Sequence, residues 1–532
     1  MLFTIVEIVA VTLMCCMASV HYVHTLQMER YQIPAYRQWV NKNRDRILKE
    51  NVLWAFVSAI LSLYLPFLLS MFMTGSEARK TLSEWLALAI FTGVTLWIAV
   101  RDYRWPCKKP FVLTHRVRRL ALVLALECLL AAILLELISI PPYFLFAAMP
   151  YLVQLAAILI NPYENRLNAG FFDSARKKIR QRNDLITIGI TGSYGKTNVK
   201  FILREILSKK YKVLATPASF NTAMGISRVV NDQLTEVHEV FIAEMGATHV
   251  GDIKQLVDLV RPKYGILTSI GPRHLDSFGS LDNIASTKYE LIQGLPKDGI
   301  AVFGSGDDYV NRLYAMCDRE KYRVSLEADA SAFMKAEVVS FSPKGTTFIM
   351  ACEDGGRVQC RTRLLGSYNV RNILLAAALA RKMGMTLEEI AEGIRALQPI
   401  EHRMQLIPGE KNVIDDSLNE DADGVFEALK VLAQMPGHRI VVTPGLGDAG
   451  PKATDVHFAI GAVMADSADR VILTGQRSGQ RGIIRGLVQS GFARANIHTA
   501  EDMEDAMELL KEISEPGDTI LLESQIPDYE MQ

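Results

Sequence analysis

Five apolar runs, each close to the length of a membrane-crossing helix, fall within the first 160 residues of the 532-residue chain: roughly Leu2 to Val23, Val52 to Met73, Leu82 to Val100, Leu120 to Ile138 and Tyr143 to Ile160. About 20 residues of helix, at 1.5 Å each, match a hydrocarbon core of about 30 Å. An α-helical membrane domain over residues 1–165 is therefore expected. The first run lacks a basic leader and a small-residue cleavage site, so it reads as a retained span and not a signal peptide. Arg30, Arg37, Lys42, Arg44, Arg46 and Lys49 follow it, and Arg101, Arg104, Lys108, Lys109, Arg116, Arg118 and Arg119 lie between the third and fourth runs. Both basic loops are predicted to be cytoplasmic. The loops at Arg79–Lys80 and Ser139–Pro142 then face outward. A multi-pass cell-membrane protein follows, with its N-terminus outside and all that comes after Ile160 in the cytoplasm. Glu127 lies inside the fourth run and reads equally as a functional carboxyl or as a packing residue. So few intramembrane charges argue against an ion pathway.

Hydrophobic residues make up 49% of the chain, and the excess sits in this first part. A formal net charge of zero argues against a general nucleic-acid binder. The seven cysteines form no C-x-x-C pair, so neither a zinc ribbon nor a disulfide framework is indicated.

After Asn161 the sequence turns polar, and the basic stretch Arg176 to Arg182 is expected to meet anionic lipid headgroups. From Asp184 apolar strands alternate with helical patterns, the signature of a parallel sheet covered on both faces. Predicted strands are Leu185 to Ile190, Lys212 to Ala215, Glu239 to Glu244, Tyr264 to Ile270 and Gly299 to Gly304. The first runs into Thr191-Gly192-Ser193-Tyr194-Gly195-Lys196-Thr197 and then a helix. Gly192 and Gly195 permit a tight turn that gathers backbone N–H groups, together with Ser193 and Tyr194, at a helix N-terminus, where anionic phosphates bind. Lys196 adds a mobile cation and Thr197 a hydroxyl for magnesium. ATP is the expected nucleotide. The spacing departs from G-x-x-x-x-G-K-[ST], because residue 190 is isoleucine. Glu244 ends a strand beside this loop and reads as a magnesium ligand or a helix-capping acid. His274 follows the next strand, and Lys288 lies on a helix from Asp282 to Gln293.

The ordered set T-G-x-x-G-K-T at 191–197, Thr216-Pro217, Asn221, Gly225, Glu244-Met245-Gly246, His274-Leu275, Phe278-Gly279-Ser280 and Lys288-Tyr289-Glu290 resembles the central domain of the Mur ligases. It is most similar to the branch that adds D-alanyl-D-alanine to the muramyl tripeptide. Leu365-Gly366, Asn369, Asn372, Arg403 and Asp415-Asp416-Ser417 match later motifs of that family. The resemblance implies a P-loop domain at 166–398 and a C-terminal Rossmann-like domain at 399–532. It also implies magnesium on Thr197, Glu244 and His274, Lys288 as a carbamate, Asn369 on adenine, Asp416 on ribose and Arg403 on the terminal phosphate. Lys196, His274, Lys288 and Arg403 would be the catalytic group. Taken alone, Asn369 reads as a helix cap, Arg403 as a solvated charge and Asp416 as a turn acid.

Family members of this branch begin with a soluble domain that grips the UDP end of the precursor, and here membrane segments take that place. The partners implied are membrane lipids, a UDP-linked or lipid-linked cell-wall precursor, and an amino acid or dipeptide. Two motifs depart from the family: D-D-S-Y-N-A-N-P appears as Asp415 to Ala422 with Leu418-Asn419-Glu420-Asp421, and Lys-Gly-Ser-Arg near the end appears as Glu523-Ser524-Gln525-Ile526. The reading is an ADP-forming amide ligase. Alternatives are a transporter or flippase driven by a P-loop ATPase, and a ligase for lipid-linked or polyglutamate substrates. Against the ATPase motor stand the lack of a paired-acid strand and the presence of His274 and Lys288.

Overall fold

The computed structural model describes residues 2–29, 31–47, 51–70, 76–103, 110–217, 220–326, 329, 331–399, 401–418, 422–446, 453–475 and 479–523. It divides into two compact units, Met1–Gly170 and Phe171–Gln532.

The first unit is built from helices α1 (Leu2–Ala18), α2 (Val20–Met28), α3 (Ile33–Lys42), α4 (Arg44–Ile47), α5 (Leu53–Ser70), α6 (Ser76–Tyr103), α7 (His115–Leu137) and the start of α8 (Leu145–Arg180). Among the described residues, four stretches are long and apolar enough to cross a membrane: Leu2–Met28, Thr81–Arg101, His115–Leu137 and Pro142–Arg180. The remaining expected span forms α5, and residues 71–73 at its end lie outside the described residues. So do Arg30, Lys49, Arg104, Lys108 and Lys109 of the basic loops. Helix α7 shows why such a helix suits lipid. Val117, Leu120, Leu124, Cys128 and Ala132 are buried against the unit's core, while Leu122, Leu126, Leu130 and Leu134, spaced four apart, are exposed. An apolar stripe on each side is the pattern of a helix whose outer surface meets hydrocarbon.

The basic stretch near the end of α8 is partly used within the second unit, contrary to its reading as a headgroup-binding run. Lys178 donates to the carbonyls of Val230 and Asn231, both at 3.0 Å. Arg182 is spent on Asp184 and the carbonyls of Thr235 and His238. Lys177 and Arg180 stay exposed.

The second unit holds two sheets. The first has nine strands in the order β2-β3-β1-β4-β5-β6-β7-β8-β9. They are β1 (Ile186–Thr191), β2 (Val213–Ala215), β3 (Val240–Glu244), β4 (Tyr264–Leu267), β5 (Ile300–Phe303), β6 (Glu320–Ser325), β7 (Met334–Ser342), β8 (Gly345–Cys352) and β9 (Arg357–Thr362). Pairings from β2 through β7 are parallel, and β7, β8 and β9 form an antiparallel extension. The hairpin that β8 and β9 form around Asp354-Gly355-Gly356 is thus the outer part of a meander. Helices α9 (Lys196–Leu207), α10 (Ala223–Gln233), α11 (Asp252–Val260), α12 (Leu275–Phe278), α13 (Leu281–Gln293), α14 (Asp308–Met316), α15 (Ser367–Lys382) and α16 (Leu387–Arg395) accompany this sheet. Ile188, Ile190 and Val302 pack with Val199, Leu203 and the buried Ala376–Ala380 run of α15 in one core. Phe241, Ala243 and Leu267 pack with Ile226, Leu256 and Leu291 in another. Because both faces are covered, β3 reads as a continuous apolar string, and β1, which alternates isoleucine with Thr187, Gly189 and Thr191, is buried at all but its first residue.

The second sheet has six strands in the order β10-β11-β15-β12-β13-β14, parallel except for β10 against β11. The strands are β10 (Gln405–Ile407), β11 (Asn412–Asp416), β12 (Arg439–Thr443), β13 (Arg470–Thr474), β14 (Ile497–Ala500) and β15 (Thr519–Glu523), with helices α17 (Ala422–Leu432), α18 (Ala453–Ser467), α19 (Gln480–Gln489) and α20 (Met503–Ile513). In the first sheet β1 lies between β3 and β4, where the chain reverses its direction of winding, and a crevice opens there beyond the carboxyl ends of the strands.

Candidate active site

At that crevice β1 gives way to the glycine loop. Gly192 has φ 149° and Gly195 φ 78°, and α9 starts at Lys196 with Gly195 as its cap. A Cβ on Gly192 would lie 1.9 Å from Thr268 Oγ1, and one on Gly195 would lie 2.7 Å from Asn372 Oδ1. Both positions are therefore closed to any side chain. The sequence predicts that β4 runs to Ile270, but it stops at Leu267 because the next residues leave the ladder to hold the loop. The Ser193 amide donates to Ser269 O at 2.7 Å, the Gly271 amide donates to Ser193 Oγ at 2.9 Å, and Thr268 Oγ1 donates to Tyr194 O at 2.5 Å. The loop is thus fixed by a neighbouring strand's end before any ligand arrives.

Positive charge converges on it. Lys196 Nζ donates to the carbonyls of Gly192 at 2.6 Å and Ser193 at 3.2 Å, and Lys288 Nζ reaches the same Gly192 carbonyl at 3.0 Å. Burial pushes the Lys196 ammonium down to about 8, with Glu244 opposing the shift and Arg273 adding to it. Burial also pushes Lys288 down to about 7, helped by the nearby charges of Lys196 and Arg273. These cations disfavour one another, and a polyphosphate would relieve all of them.

Glu244, at the end of β3, is buried beside the loop. Its Oε1 accepts from Thr197 Oγ1 at 3.0 Å and from Asn221 Nδ2 at 3.1 Å, and its Oε2 accepts from Lys200 Nζ at 2.9 Å. The Glu244 amide donates to Thr216 Oγ1. A carboxylate and a hydroxyl already in contact at a phosphate loop are hard oxygen donors, which fit magnesium. Among the described residues no group of three or more His, Cys, Asp or Glu side chains is placed to hold a metal. His274 is exposed and caps the short α12 in a left-handed conformation, φ 62°. It is therefore not part of a closed cage around Glu244.

Of the remaining predicted residues, Asn369 lies at the start of α15, while Asp416 and Arg403 belong to the second sheet's side. Asn369 accepts from Asn198 Nδ2 of α9 at 3.2 Å and donates to Leu365 O at 2.8 Å, so it is tied directly to the phosphate helix. Its neighbour Tyr368 is half-buried; desolvation raises its hydroxyl, which also feels the charges of Asp416, Arg403 and Glu523. Asp416 ends β11, with Oδ1 accepting from the Met404 amide at 2.8 Å. Arg403 is exposed. Residues 419–421 and 524–528 of the two altered motifs lie outside the described residues. Reading the sequence misses the parts played by Lys200, Arg273 and Asn198. Lys200 left a signal, being a charge set among Val199, Ile202, Leu203 and Ile206 in an otherwise apolar helix face.

Comparison with known proteins gives two family matches: the Mur ligase middle domain over residues 190–380, and the Mur ligase, glutamate ligase domain over residues 402–525. The chain is similar to the UDP-N-acetylmuramoyl-tripeptide--D-alanyl-D-alanine ligase of Escherichia coli, 33% identical over 304 residues, which covers 56% of this chain and 67% of that protein. The Mycobacterium tuberculosis (strain ATCC 25618 / H37Rv) enzyme of the same name is 30% identical over 362 residues, covering 64% and 70%. Among solved structures, MurF from Acinetobacter baumannii superposes with a TM-score of 0.58 at 23% identity, covering 67% of this chain and 78% of that one. The MurF ligase from Thermotoga maritima in complex with ADP gives 0.59 at 21%, covering 67% and 80%. Those two likenesses are of fold.

Proposed function

The chain belongs to the Mur ligase family, and from that premise we propose a membrane-anchored ligase that joins an amine to a carboxylate of a peptidoglycan-type precursor by way of an acyl phosphate. It is an ATP-dependent acid–amino acid ligase, which removes the transporter reading. The observation that carries the proposal is the convergence of Lys196, Lys288 and Arg273 on a rigid glycine loop whose helix also presents Thr197 to Glu244.

In this reading the loop amides and Lys196 hold the ATP phosphates, Asn369 contacts adenine and Asp416 the ribose. Thr197 and Glu244 would hold magnesium, with His274 and a carbamate on Lys288 beside them. When bound, the metal neutralises charge on the transferring phosphoryl group. The carbamate forms when the neutral Lys288 amine adds carbon dioxide, making an N–C bond and releasing a proton. It turns a cation repelled by Lys196 and Arg273 into their counter-charge. The acceptor carboxylate attacks the terminal phosphorus as ADP leaves, with Arg403 steadying the new acyl phosphate. The amine then displaces phosphate. Holding the reactants in line is where the protein gains most, since such alignment is worth roughly 7–11 kcal/mol of barrier.

Membrane anchoring is supported by the four apolar helical stretches and by the exposed leucine stripe of α7. A lipid-linked acceptor agrees with it, because both family matches begin after the first unit. The test uses detergent-purified full-length protein with ATP and magnesium against UDP-linked and lipid-linked muramyl peptides, each with D-alanyl-D-alanine or other amines. ADP release and product mass are followed. The expected result is ADP release that needs both an acceptor carboxylate and an amine, and that vanishes in Lys196→Ala. ADP release indifferent to any amine refutes the ligase.

A further inference from the structure

Lys200 is wholly buried, at 0% exposure, and lies one turn beyond Thr197 on the same face of α9. Its Nζ donates to Glu244 Oε2 at 2.9 Å, and its ammonium lies 4.4 Å from the centre of the Phe201 ring. Desolvating an ammonium and a carboxylate together is costly, and a well-packed apolar pair in the same space is commonly as stable or more so. Packing alone therefore gives little reason for a lysine here. The contact divides the work of the Glu244 carboxylate. Oε2 is taken by Lys200, while Oε1 faces the loop and is shared by Thr197 and Asn221.

We propose that Lys200 is a positioning residue that pins Glu244 Oε2 away from the loop, so that the carboxylate offers a divalent cation a single oxygen and the site selects magnesium over calcium. The inference rests on the reading of Glu244 as a metal ligand. Magnesium demands a compact octahedron and takes carboxylates one oxygen at a time. Calcium accepts six to eight oxygens and readily takes both from one carboxylate. With Oε2 engaged, that second oxygen is closed to calcium. Removing the ammonium frees the carboxylate to rotate and present both.

The test measures ADP affinity by calorimetry on full-length protein in detergent, with either magnesium or calcium, for the wild type, Lys200→Met and Lys200→Arg. The wild type should bind ADP at least tenfold more tightly with magnesium. In Lys200→Met that ratio should fall at least fivefold, mainly through tighter binding with calcium, and Lys200→Arg should keep most of it. A ratio unchanged in Lys200→Met overturns the inference and leaves the ligase reading standing. If Lys200→Met does not fold, the wild type decides: equal affinity with calcium and magnesium overturns it. Wild-type protein that binds no ADP with magnesium removes the nucleotide site itself, and the inference falls with it.

Discussion

Lys288 offers the most direct check on the electrostatics of the site. An ordinary lysine titrates at 10.5, and burial with the charges of Lys196 and Arg273 brings this one to about 7. At pH 7 about half of it is the neutral amine, whereas an unperturbed lysine is neutral in roughly one molecule in 3,000, an enrichment of about 1,500-fold. Only the neutral form adds carbon dioxide. The initial rate of carbamate formation at a fixed concentration of dissolved gas should therefore rise about tenfold per pH unit below 7 and level off above it. The assay traps the carbamate by alkylation on full-length protein and quantifies the Lys288 peptide by mass spectrometry from pH 5.5 to 10. Lys196→Met removes a repelling charge, so protonated Lys288 is better tolerated and the break moves to higher pH. A rate still climbing tenfold per unit at pH 9 in the wild type refutes the argument. A break that stays put in Lys196→Met refutes the part assigned to Lys196.

Two further outcomes follow from packing. Gly192→Ala places a methyl 1.9 Å from Thr268 Oγ1 at φ 149°, so backbone strain of about 1–3 kcal/mol adds to displacement of the Thr268 bond to Tyr194. ADP affinity should fall at least tenfold, while Gly355→Ala, with φ 84° and no neighbour within 4 Å, should leave it unchanged. Leu374→Ala empties a fully buried position between α15 and the first sheet and should cost about 2–5 kcal/mol, read as faster amide exchange in β1 and β6; unchanged exchange would count against that packing.

The parts of this architecture visible in the sequence share one property, a local pattern. The isoleucine repeat of β1, the apolar string of β3, the glycine loop and the alanine-rich face of α15 each declare themselves within a dozen residues. What escaped depends on partners far along the chain. β6 is half exposed and polar, and β14 has no buried residue, so neither carries an apolar signature. The early end of β4 depends on hydrogen bonds to a loop about 75 residues earlier. Lys200 stands out in sequence as a charge on an apolar helix face, but its partner is legible only once β3 is known to deliver Glu244 to it. The basic stretch near α8 misleads for the same reason, because a lysine bound to two carbonyls looks like a solvated one in sequence.

The two departures from the family pattern are about a hundred residues apart, yet the strands that lead into them are neighbours. β11 and β15 pair in parallel with Asp416 opposite Glu523. Asp415, Asp416 and Glu523 are all buried there. Tyr368 lies within reach of Asp416 and Glu523, and Asn369 beside it is bonded to the phosphate helix. Asn369, proposed to contact adenine, and the carboxylates that end β11 and β15 therefore meet at one turn of α15. We therefore expect ATP activation to be kept and the amine to be the more variable partner, so the widest choice in the substrate matrix belongs to the amine.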